Sequence, residues 1–139
     1  FQVLWEQARD ELYCWPVIDA ATLFLGHFDD ELVVLDWIVS HGRQTMRGVL
    51  DDPDSLVILA PDRHNARVDW FCGLTMEAHV AATGAALEVR YEPVGGPPGR
   101  DEPYGAATDL TDEVQARRRF PRLTAYLDEN RWIARPWES

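Results

Sequence analysis

An α+β domain, a mainly antiparallel sheet of about four to five strands packed with helices, is what this sequence predicts. Three observations lead there. The two most concentrated apolar runs, Leu32–Val39 and Leu56–Ala60, are joined by a polar connection containing Gly42 and Gly48 and read as a central hairpin. At period two the first run places Val33, Leu35, Trp37 and Val39 on one face and Leu32, Val34, Asp36 and Ile38 on the other, so both faces are covered, as in a middle strand. Segments with helical periodicity then supply an N-terminal helix, a central helix and a C-terminal helical segment.

Taken in order, Gln2 to Cys14 reads as an amphipathic helix, with Val3, Leu4, Ala8 and Leu12 at helical spacing and Pro16 as its stop. Val17 to Phe28, rich in β-branched and aromatic residues, reads as a strand paired with 32–40. A helix over 31–41, capped by Asp30 and stopped by Gly42, is the rival reading of the central run; the β-branched Val33, Val34, Ile38 and Val39 favour the strand. Thr45–Leu50 and Leu56–Leu59 follow as short strands, separated by the turn-forming stretch Asp51-Asp52-Pro53-Asp54-Ser55, with Pro61 ending the second.

A helix is expected from about Asn65 to Thr83, with Gly84 as its left-handed stop. Ala86–Val94 alternates like a half-solvated strand, and the glycine- and proline-rich stretch from Gly95 opens a long loop reaching about to Thr108. Asp109 or Thr111 can cap the next helix, Pro121 begins another, and Trp132, Ile133 and Trp137 suit a tail that docks.

The chain of 139 residues fits one domain. It begins without Met, which fits a trimmed chain or part of a longer one. No apolar run approaches the roughly 18 residues of a membrane span. The 24 acids outweigh 13 bases, all of them Arg, for a net charge of −11. That field repels phosphate backbones, which argues against general nucleic-acid binding, and it favours encounter with a basic protein. Cys14 and Cys72 suit buried free thiols in a reducing, cytoplasmic setting.

No motif identifies an activity. The stretch His27, Asp29, Asp30 and Glu31 contains metal-ligating residue types but reads better as a turn, so no metal and no cofactor is expected. Cys72, with Trp70 and Phe71 beside it on the expected helix, suits a buried and inert thiol. Asp36 is the best candidate for a tuned acid or base, because a carboxylate in an apolar run needs a partner or a cavity. Arg117-Arg118-Arg119 and Arg122 form a basic cluster that balances local acids on a solvated helix.

Two functions follow. The first is a non-catalytic acidic binding protein of the immunity, antitoxin or adaptor type, engaging a basic protein partner through Asp29, Asp30, Glu31, Asp51, Asp52 and Asp54. The second is a small-molecule enzyme with a pocket between sheet and helices, using Asp36 with His41 or His64 for proton transfer. A purely structural domain of a longer chain is a third, weaker reading.

Overall fold

The described residues form a helical fold, and the expected sheet is absent among them. The computed structural model describes residues 2–26, 30–67, 77, 80–84 and 101–139, and no strand occurs among them; the nearest thing is an isolated bridge between Cys14 and Tyr104.

Helix α1, Gln2–Leu12, forms where its periodicity placed it. The chain re-enters a helix at once. Pro16 does not merely end α1; it occupies the first turn of α2, Trp15–Leu25, where a missing N–H leaves no helical bond unmade. The expected strand 17–28 is therefore helix as far as residue 25. Val17, Ile18, Asp19, Ala20, Ala21, Leu23, Phe24 and Leu25 are all buried, so α2 is covered on nearly every side. Gly26 closes it at φ +77°, a conformation that costs a residue with a Cβ, and donates its N–H to Thr22 O at 3.0 Å.

The central run is α3, Glu31–Ser40, as the rival reading had it. The Asp30 carboxylate accepts the Leu32 N–H at 2.9 Å, which outweighs the modest χ1 cost of the β-branched residues once Val34, Leu35, Trp37 and Ile38 are buried. Gly42, at φ +92°, turns the chain into α4, Arg43–Asp51, which replaces the strand expected at 45–50.

A succession of 3-10 turns over Pro53–Arg67 replaces the strand expected at 56–59 and carries Pro61 inside it. Its three-residue repeat brings Leu56 and Leu59 to the core, continues through Asp62 and Asn65, and leaves Ile58 exposed. This segment packs against α2, α3, α4 and the C-terminal helix, so it holds the domain together.

Of the helix expected over 65–83, Asn65–Arg67 belong to the 3-10 run, and residues 80–83 are helical, with Gly84 at φ +68° donating to Val80 O at 2.8 Å. Most of its middle, the strand expected at 86–94 and the loop up to residue 100 lie outside the described residues.

Residues 101–112 run back along the N-terminal half. Trp15 N donates to Tyr104 O at 2.9 Å, and Thr108 N donates to the buried Asp19 carboxylate at 2.7 Å. Asp112, one residue beyond the expected Thr111, caps α5, Glu113–Arg119; Asp109 instead binds Thr111. Pro121 opens α6, Pro121–Glu129, as expected. The tail docks through buried Ile133 and half-buried Trp137, while Trp132 stays 71% exposed. The core they complete joins Leu12, Phe24, Leu35, Ile38, Leu56, Phe120, Leu123 and Leu127.

Candidate functional site

Asp36 is held by α1. Its carboxylate accepts the Trp5 indole N–H at 2.7 Å and faces the Arg9 guanidinium at 3.3 Å, with the side chain 15% exposed. Burial of the acid is thus compensated by one neutral and one charged donor from the neighbouring helix. These contacts join α1 to α3.

His41, the C-terminal cap of α3, lies five positions beyond Asp36, about 140° away around a helix at 3.6 residues per turn, and so addresses a different neighbour. Its Nε2 is 3.0 Å from Asp62 Oδ2, and its ring meets Trp37 edge-on at 5.2 Å. The approach to Asp62 is close but poorly aligned for a hydrogen bond, so it acts as an ion pair when the imidazole is protonated. Asp62 is better served by the Trp37 indole N–H at 2.8 Å and the Asn65 amide at 2.6 Å, and these two donors hold its carboxyl below the usual aspartate range. His64 is exposed. The three candidate acid–base residues therefore have separate surroundings.

The acidic candidates divide by what they touch. Asp54 is 4% exposed and accepts Arg122 N, Leu123 N and Arg122 Nε at 2.9, 2.9 and 3.1 Å. It caps α6 from a remote part of the chain, where an anion meets unsatisfied N–H groups and the positive end of the helix dipole. Asp52 pairs with the same guanidinium. Both are structural ligands of α6. Asp30 spends one oxygen on its own helix and is exposed, Asp51 is exposed at the end of α4, and Glu31 is half-buried against Tyr13, whose phenol is raised first by burial and then by the Glu31 charge. Asp29 and His27 lie outside the described residues, as does Cys72. Among the described residues no cluster of His, Cys, Asp and Glu is arranged to hold a metal.

Five of the 13 arginines form ion pairs within the chain among the described residues. Arg9 pairs with Asp36, Arg47 with Glu11, Arg117 with Glu113 and Asp128, Arg122 with Asp52 and Asp54, and Arg135 with Asp128 and Glu138. Arg117 also lies 5.7 Å from the Trp137 ring. Arg63 donates to Phe24 O at 2.8 Å and Leu25 O at 3.0 Å, closing the C-terminus of α2.

Two buried or tuned carboxylates escaped sequence reasoning. Asp19 is 5% exposed within α2, and burial raises its pKa against the opposing hydrogen bond from Thr108. Asp62 became visible as a partner only once 53–67 folded at three residues per turn. A helical reading of 17–28 would have exposed Asp19 as a lone acid on an apolar helix.

No helix among the described residues is long and apolar enough to cross a membrane. Residues 1–82 match the family model described as a protein of unknown function, DUF4240. No curated protein and no solved structure matches the chain. The family match spans α1 to α4 and the 3-10 segment, the part that contains Asp36, His41 and all the acidic candidates.

Proposed function

We propose that this chain, which belongs to the DUF4240 family by a match over more than half its length, is a non-catalytic acidic binding protein that engages a basic protein partner. One observation carries the reading: 24 acids stand against 13 arginines, five of which pair with acids of this chain, so a net charge of −11 faces solvent or a partner. Exposed Asp30 and Asp51, with half-buried Glu31 next to Asp30 in sequence, are the acids assigned to that partner. The reading includes a reducing, cytoplasmic setting, supported by Cys14 as a buried free thiol.

An acid–base enzyme has less support. Asp36 is occupied by Trp5 and Arg9, and His41 faces Asp62 instead. Affinity purification from the native source at low ionic strength, followed by rebinding of the isolated components, tests the proposal. The expected result is a basic protein that rebinds directly and releases as salt rises. An acidic partner, or binding indifferent to salt, overturns it.

A further inference from the structure

Between α1 and α4 lies an open groove of about 360 Å³, within the range of small-ligand sites, roughly 300–1,000 Å³. Helical spacing builds it. Leu4 and Ala8 are one turn apart on α1, Val39 comes from the end of α3, and Met46 from α4; together they make an apolar floor. Because α1 packs chiefly on α3 and only lightly on α4, the wedge between them stays open, and Leu4 is 71% exposed.

Arg43 and Arg47 share the Met46 face of α4 and stand at the edge of this floor. Arg47 is 3.5 Å from Glu11, with both side chains about half exposed. Among the described residues no acid pairs with Arg43. Two guanidinium groups beside an apolar groove run against a chain of net charge −11. A guanidinium receives a carboxylate through two parallel N–H donors, which gives short-range selectivity that the long-range field opposes.

We infer that this groove binds a small amphiphilic carboxylate, its apolar tail on Leu4, Ala8, Val39 and Met46 and its headgroup on Arg43, with Arg47 exchanging Glu11 for the ligand. The inference is independent of the basic-partner reading. It joins two features that neither packing nor the overall charge explains, the exposed Leu4 and an Arg43 that no acid among the described residues pairs with.

Decanoate below its micelle-forming concentration, followed by amide and methyl NMR, is the test, with decanol and decyltrimethylammonium as probes that keep the tail and change the head. The expected result is saturable shifts at Ala8, Val39 and Met46, strongest for decanoate. Arg43→Gln should weaken decanoate about tenfold, the scale of one charge-assisted hydrogen bond, and leave decanol unchanged. Leu4→Ser should weaken both. Both altered side chains are exposed, so these variants keep the fold. Shifts absent from the groove, equal binding of the cationic probe, or full decanoate binding by Arg43→Gln would overturn the assignment.

Discussion

Asp54 and Arg122, 68 positions apart, meet at the first turn of α6, where one buried carboxylate takes both the Arg122 backbone N–H and its Nε. Leu123 N binds the other oxygen at 2.9 Å, so the 3-10 segment supplies the cap that Phe120 lacks. This contact ties the C-terminal helices to the part of the chain that matches the family model.

Asp54→Ala should therefore cost about 2–4 kcal/mol, combining a lost cap with buried N–H donors left unmade. Asp54→Asn, which keeps an acceptor, should cost less. Urea unfolding measures both. A loss below about 0.5 kcal/mol for the alanine variant would show that α6 does not depend on this cap.

Arg63 should act through the end of α2. Its guanidinium closes Phe24 O and Leu25 O and lies 4.8 Å from the Trp132 ring, which gives that exposed tryptophan its partner. Arg63→Met keeps much of the aliphatic packing but loses the donors, at about 2–3 kcal/mol. Trp132 fluorescence should shift in the same variant. An unchanged spectrum with unchanged stability would contradict both contacts.

Trp37 is 3% exposed, stacks on Phe24 at 6.2 Å and donates to Asp62. Trp37→Ala should cost about 3–5 kcal/mol by equilibrium unfolding, as large-to-small core changes do. Trp37→Phe should recover part of the packing and lose the Asp62 hydrogen bond. A cost below about 1 kcal/mol for the alanine would refute the packing around α3.

Two carboxylates should bend the pH dependence in opposite directions. Arg117 holds Asp128 below the ordinary aspartate range, so its contribution is present above that range and is lost as pH falls through the depressed folded value. Burial raises Asp19 despite Thr108, so the fold favours its protonated form; that stability is present below the ordinary value and is lost as pH rises through the raised one. Carboxyl-carbon NMR titration should order them with Asp128 below Asp19. Asp19→Asn should remove the loss on raising pH, and a reversed order would refute both assignments.

Helix α1 and the two C-terminal helices were legible, whereas α2, α3, α4 and the 3-10 segment read as strands. The stripe of Leu4, Ala8 and Leu12 followed from spacing, Pro121 at the start of α6 from its missing N–H, and the docking of the tail from its aromatic residues. The strands expected at 17–28 and 32–40 formed α2 and α3 instead; both runs are apolar around most of their circumference, and such a run carries no period that separates helix from strand. Val33, Val34, Ile38 and Val39 then tipped the choice by propensity, a small effect beside burial and the Asp30 cap. In the acidic segments, the bond from Asp54 to Arg122 was invisible because nothing local marks a cap supplied from 68 positions away.

Steering of a basic partner by exposed carboxylates would show in the association rate with the isolated partner as salt is varied. Asp30→Asn with Asp51→Asn leaves the Asp54 cap of α6 intact, so stability should stay near that of the parent chain, while association at low salt slows by about threefold to tenfold and dissociation changes little. The difference should vanish as screening shortens the reach of the charges. Equal association rates at low salt, in a double variant of normal stability, would show that these carboxylates do not steer the partner.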